Sequence, residues 1–224
     1  MALILNIETA TKNCSVSLAK DGEIIAIKEL NNGNYSHAEV LHPFIVAVLE
    51  MAQQTATDLD AVAVSKGPGS YTGLRIGVSA AKGLCFSLDI PLISIETLQA
   101  LAHIATPTLG FIVPLLDARR MEVYAAVYNT KHQKTRAIAA DILTPTSFQE
   151  YLAAGPVTFL GDGAAKFKEI CNHPNAVFLE NCFPSSKQMA SLSYQKYQEQ
   201  AFEEVAYFEP FYLKDFVAVP QKKK

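Results

Sequence analysis

The apolar residues of this chain fall into short continuous runs, separated by stretches where they recur at three- and four-residue steps. The runs read as buried strands and the periodic stretches as helices. Leu3-Ile4-Leu5-Asn6-Ile7 is a strand ending at Glu8-Thr9, and Ser15-Val16-Ser17-Leu18 alternates as a half-buried strand does. Asp21-Gly22 signals a hairpin turn into Ile24-Ile25-Ala26-Ile27. Ser36 and Glu39 have capping-box spacing at the start of a helix. Its core face is Val40, Leu41, Phe44, Ile45, Val48 and Leu49, with Ala47 and Met51 widening the apolar arc, as in a helix covered on two sides. Pro43, past the first turn, predicts a kink. Ala61–Val64 is a strand, a Gly/Pro-rich loop leads to a helix marked by Leu74, Val78, Ala81 and Cys85, Leu92–Ile95 is a strand, and residues 96–104 form a helix.

The same plan then returns. Phe111–Leu116 is a strand ending in Asp117, followed by strands at Val123–Val127 and Arg136–Ala140. Thr144-Pro145 has the form of a cap and first helical position. Val157–Leu160 and Ala176–Leu179 are strands around a helix over residues 164–171, and Ser185 or Ser186 caps a long helix reaching about Glu204. An order repeated twice implies an α/β duplication, with a mixed sheet in each half, helices on its faces and a cleft between the halves. The boundary falls in the turn formers Ala105-Thr106-Pro107-Thr108, giving lobes 1–105 and 106–224. The apolar tail Pro210-Phe211-Tyr212-Leu213 predicts packing back onto a lobe.

The loop Lys66-Gly67-Pro68-Gly69-Ser70-Tyr71-Thr72-Gly73 joins a strand to a helix N-terminus, a geometry that suits an anion or phosphate. It is neither a Walker loop nor a G-x-G-x-x-G turn. Gly73, Gly77 and Ala81 form a small-residue stripe along the following helix. Each glycine costs about 1 kcal/mol relative to alanine there, so the stripe implies close approach by another backbone, of this chain or of a partner.

Half of the 224 residues are hydrophobic and 18% are charged, with a net charge of −3, which suits a globular chain and argues against a protein gripping nucleic acid alone. Lys222-Lys223-Lys224 reads as a solvated end. Cys14, Cys85, Cys171 and Cys182 have no paired spacing, so they read as reduced thiols of a cytoplasmic protein. No segment suits a signal peptide or a membrane span. Glu8 and Asp117, at equivalent strand ends, could hold Mg²⁺ through waters or act as a general base; a turn-capping role is at least as good a reading for Asp117. His37 and His42, five apart, are mis-spaced for a helical metal pair and read as surface or interface residues. No G-x-S-x-G elbow is present, and Ser70 has no histidine assignable to it. Tyr71 could stack on a base or pack between lobes.

Three stretches carry a resemblance: Leu5–Thr11 with Cys14–Leu18, Ser36-His37-Ala38-Glu39, and Lys66–Gly77. Together with the closing Glu209-Pro210-Phe211-Tyr212-Leu213 they resemble the TsaB (YeaZ) family, closely to about Leu101 and more loosely beyond. The resemblance implies two ribonuclease-H-like lobes of the actin-like/Hsp70-like/sugar-kinase fold. It also implies the role of a non-catalytic partner of TsaD, which transfers threonylcarbamoyl to N6 of adenosine 37 in tRNAs reading ANN codons, with TsaE as a further component. The pairing surface with TsaD, or with a second copy when TsaD is absent, would lie on the helices from Ser36 and Gly73, through His37, Val40, Leu41, Phe44, Met51, Gly73, Ile76, Gly77, Ala80 and Ala81. Nucleotide (ATP or ADP) would meet Glu8, Gly67, Gly69, Ser70, Tyr71, Thr72 and Gly73 near that interface, and tRNA would be engaged through the complex. The metal-binding His-x-x-x-His of TsaD is missing here, and Glu8 stands where the family usually has Asp. An ATPase or phosphotransferase of the same fold is the alternative.

Overall fold

A computed structural model describes residues 1–33 and 36–214. The first half runs β1 (Leu3–Glu8), β2 (Cys14–Lys20), β3 (Glu23–Leu30), α1 (His37–Met51), β4 (Ala61–Gly67), α2 (Tyr71–Leu88), β5 (Leu92–Glu96) and α3 (Thr97–Ala102). The second runs β6 (Phe111–Asp117), β7 (Glu122–Asn129), β8 (Lys134–Ile142), α4 (Gln149–Ala154), β9 (Val157–Leu160), α5 (Ala164–Lys168), β10 (Ala176–Leu179) and α6 (Ser186–Gln198). The sheet orders are β3-β2-β1-β4-β5 and β8-β7-β6-β9-β10, the same topology twice. In each sheet the first three strands pair antiparallel and the last two join parallel. This is a pair of ribonuclease-H-like lobes, the duplicated architecture of the actin-like/Hsp70-like/sugar-kinase fold.

Alternation along the strands decides what covers each face. Leu3, Leu5 and Ile7 of β1 point into one core with Val62 and Val64 of β4, roofed by α1 and α2 through Leu41, Ile45, Val48, Val78 and Cys85. Ile4, Ala61, Ala63, Ile93 and Ile95 point the other way and are covered by Met189 and Leu192 of α6. The last helix therefore crosses from the second half to complete the first lobe. Its seat is also polar: Ser193 Oγ–H donates to Asn6 Oδ1 at 2.7 Å, and Asn13 Nδ2–H donates to the Pro184 carbonyl at 2.9 Å. In the second lobe, α4 and α5 cover one face through Leu152 and Phe167, and α3 covers the other through Leu98, Leu101 and Ala102.

Several helix ends differ from expectation. Ser36 is the N-cap of α1, but its side chain makes no capping bond, because at φ −109° and ψ 16° its backbone is not extended as a capping residue's is. The Ser36 carbonyl instead accepts from the Glu39 and Val40 amides at 3.0 and 3.1 Å. The helix runs on through Pro43 as one element. Thr144 does not open a helix: its N–H donates to Ser147 Oγ at 2.9 Å, a local turn that competes with helix, and α4 starts at Gln149. After α6 ends at Gln198, Gln200 turns the chain at φ +54°, and the Glu203 N–H donates to the Leu92 carbonyl at 2.8 Å, covering the free edge of β5. Lys222–Lys224 lie outside the described residues.

Candidate functional site: the glycine loop and the outer face of the first lobe

The turn after β1 is the hub of this region. The Glu8 carboxylate is fully buried; its Oε1 accepts the Ala10 N–H at 2.6 Å, and its Oε2 is buried without a hydrogen-bond partner among the described residues. Burial pushes the carboxyl up to about 7, with the Ala10 amide, the nearby Ser65 hydroxyl and the Thr9 amide opposing. The Ala10 carbonyl accepts the Ser70 N–H at 2.7 Å, Thr9 Oγ1–H donates to the Gly73 carbonyl at 2.8 Å, and His37 Nε2–H donates to the Thr11 carbonyl at 2.7 Å. One buried turn thus clamps the starts of both α1 and α2.

That clamp explains the glycines, and it corrects the expected placement of several residues. A methyl group at Gly73 would lie 2.1 Å from the Thr9 carbonyl oxygen, and one at Gly77 would lie 2.3 Å from Thr9 Oγ1. The close backbone approach behind the Gly73/Gly77/Ala81 stripe is made by this chain itself. Leu41 and Ala81 are core residues, and His37 is 2% exposed, with burial holding its imidazole below the usual range. None of these five can form a surface. Val40, Phe44, Ile76 and Ala80 are partly buried, and Met51 is exposed.

The loop is committed in the same way. A methyl at Gly69 would lie 2.4 Å from the Ala10 carbonyl, and one at Gly67, at φ +112°, 2.7 Å from the Phe211 carbonyl. The Phe211 N–H in turn donates to the Lys66 carbonyl at 2.7 Å. Ser70 is the N-cap of α2, its Oγ accepting from the Gly73 amide at 3.3 Å, so its hydroxyl has a structural task. Tyr71 packs against Tyr212 of the tail, the rings tilted by 36° with centroids 4.9 Å apart, beneath the Arg75 guanidinium at 4.3 Å. Thr72 is exposed. The glycines of the loop are therefore used for close contacts within the chain, to residues 9, 10 and 211. A cavity of about 500 Å³ lies beside it, under the tail, among Lys66, Glu96, Glu203, Tyr207, Phe208 and Phe211. Its carboxylates would repel a phosphate.

Asp117 has a local structural task instead of the shared ligand considered for it with Glu8. Asp117 Oδ1 accepts the Arg119 N–H at 2.7 Å and pairs with Lys166 Nζ at 2.6 Å, so it caps the β6–β7 hairpin. Sequence reading missed a different pair of residues. On the outer side of α2, Ile76, Ala80 and Gly83 line up at helical spacing, and an added methyl at Gly83 would meet nothing within 4 Å among the described residues. Phe86 beside it is 85% exposed. The signal was available in the i, i+4, i+7 spacing, but it was overshadowed by the parallel stripe one residue away.

The family model described as "TsaD: tRNA N6-adenosine threonylcarbamoyltransferase" matches residues 33–222. A protein of Escherichia coli named "tRNA threonylcarbamoyladenosine biosynthesis protein TsaB" is 30% identical over 96% of both chains. A Bacillus subtilis protein of the same name is 33% identical over 75% of this chain and 74% of its own. The chain carries a TsaD-type domain and belongs to the TsaB (YeaZ) family. Among solved TsaB-family structures, YeaZ from Pseudomonas aeruginosa superimposes with a TM-score of 0.81 at 26% identity, over 95% of this chain and 100% of that one. A second Pseudomonas aeruginosa structure, described as similar to peptidase YeaZ, gives 0.82 over 96% of this chain. Among the described residues no helix is long and apolar enough to cross a membrane.

Proposed function

We propose that this chain takes part in making N6-threonylcarbamoyladenosine in tRNA, as the non-catalytic partner of TsaD acting at position 37 of tRNAs that read ANN codons. TsaE joins the assembly, a second copy of this chain takes TsaD's place when it is absent, and the complex works in the cytoplasm. The relatives' names and the TsaD-type domain support the process and the pairing. The observation that carries the subunit reading is a contrast within one helix. The inward glycines of α2 are used up by Thr9, whereas Gly83 on the outside has no neighbour to justify it and sits beside an exposed Phe86. A glycine inside a helix that costs about 1 kcal/mol and packs on nothing among the described residues suits a second helix lying close. Met51, Val40 and Phe44 extend the apolar surface onto α1. ATP or ADP belongs at the junction with the partner, beside the glycine loop.

The test uses exposed positions, so that the fold is spared. Gly83→Glu and Phe86→Asp are expected to lower self-association and TsaD pairing at least tenfold, measured by size-exclusion chromatography with light scattering and by titration with TsaD. Undiminished association of both folded variants would remove the proposal. The alternative, an enzyme, would rest on Glu8, whose carboxyl burial raises to about 7 and which would have to become accessible to act as a general base. ATP hydrolysis by the purified chain that disappears in Glu8→Ala would support that ATPase or phosphotransferase reading.

A further inference from the structure

The β6–β7 hairpin ends in an unusual way. Arg119 and Arg120 both have positive φ, at +70° and +51°. The chain makes the same two-residue excursion at the β2–β3 hairpin, and there it uses Asp21 and Gly22, at +52° and +85°. Asp-Gly suits such a turn, whereas two successive arginines in the left-handed region are strained. Strain kept where an easier sequence exists elsewhere in the same molecule points to a use for the side chains.

What surrounds the tip says what that use is. Both arginines are exposed. Lys166 braces the turn from below, donating to Asp117 Oδ1 at 2.6 Å, to the Arg120 carbonyl at 2.8 Å and to the Glu122 carbonyl at 2.5 Å. The Glu122 carboxylate pairs with Lys214. Asp162 is spent on the Asp117 N–H at 2.9 Å, and burial raises its carboxyl above the usual range. Each nearby acid is thus engaged by a lysine or a backbone amide, and among the described residues neither guanidinium has a carboxylate partner. The result is a tip braced by Lys166 that carries two exposed guanidinium groups, on a chain of net charge −3.

We propose that the braced tip formed by Arg119 and Arg120 is a contact for the phosphate backbone of RNA. Guanidinium forks match phosphate oxygens bidentately, and backbone contacts position a nucleic acid without reading its sequence. The inference rests on the proposed function, which supplies a tRNA to the assembly, and it gives this chain a direct hold on that tRNA.

The experiment measures tRNA binding by fluorescence anisotropy between 50 and 300 mM salt, for the chain alone and in its complex with TsaD. It compares wild type with Arg119→Gln/Arg120→Gln and Arg119→Lys/Arg120→Lys. Loss of two phosphate contacts is expected to weaken binding by the complex about tenfold at low salt. It should also flatten the slope of log affinity against log salt by about 1.5, with the lysine variant keeping most of both. An unchanged slope in the glutamine variant overturns the inference. So does equal loss in the lysine variant, which would make the effect structural, or loss of TsaD from the complex, which would make the tip a protein contact. Failure of wild type to bind TsaD at all would refute the proposed function instead, and the salt slopes of the isolated chain would then decide the inference.

Discussion

Glu8 is the residue on which pH should act most directly. Its folded carboxyl titrates at about 7 against an ordinary 4.5. Below 4.5 the folded and unfolded chains both hold the proton. Between 4.5 and 7 only the folded chain keeps it, so the stability this group contributes is lost as pH rises through that window. Above 7 the folded state carries the whole cost of a buried charge, on the order of 3 kcal/mol for a shift of this size. Glu8→Gln keeps an oxygen for the Ala10 amide and removes the charge. It should raise the urea midpoint at pH 8, with the gain shrinking to nothing near pH 4.5; an equal gain at both pH values would mean that ionisation is not the cause. His37, bound to the same turn, works in the opposite sense. Its lowered value leaves its contribution intact above 6.5 and loses it as pH falls towards the folded value.

At the level of single elements, α2 contains its own control. Gly77→Ala drives a methyl into Thr9 Oγ1, which is held by its bond to the Gly73 carbonyl, so it should cost about 1–3 kcal/mol in chemical unfolding. Gly83→Ala meets open space and should stabilise the isolated chain by up to about 1 kcal/mol, while loosening its association. If both substitutions shift stability the same way, the inward–outward assignment of α2 is wrong. The strands were legible in the sequence because buried apolar runs such as Ala61–Val64 allow few other readings. The docking of the tail was legible in its apolar run, though not its means: Tyr212 packs on Tyr71, while Phe211 stays exposed and is held by its N–H on the Lys66 carbonyl. Which backbone approaches a glycine was not legible: spacing marks a stripe, and the neighbour, Thr9, lies far away in sequence. The Ser36 cap failed for a similar reason, since residue type does not reveal the φ and ψ on which a capping bond depends. His37 looked like a surface residue because nothing local shows the turn that closes over it.

For the whole molecule, the decisive feature is that the two lobes share their elements. Leu192 of α6 is 7% exposed and packs against Ile4 and Ile93 of the opposite half. Leu192→Ala should therefore cost about 2–5 kcal/mol and accelerate hydrogen exchange in β1 and β4, not only in the second lobe. Exchange confined to residues 111–179 would mean that the halves are energetically separate. The shared construction also has a consequence during synthesis. Once β5 has left the ribosome, the underside of the first sheet stays bare until α6 arrives about 90 positions later, roughly 5 to 20 s at ordinary elongation rates. Over that interval the nascent chain leaves Ile4, Ala61 and Ile93 without the cover of Met189 and Leu192, with only Ala100 of α3 from its own chain on that face, a period in which a chaperone has a surface to hold and aggregation has a surface to start from.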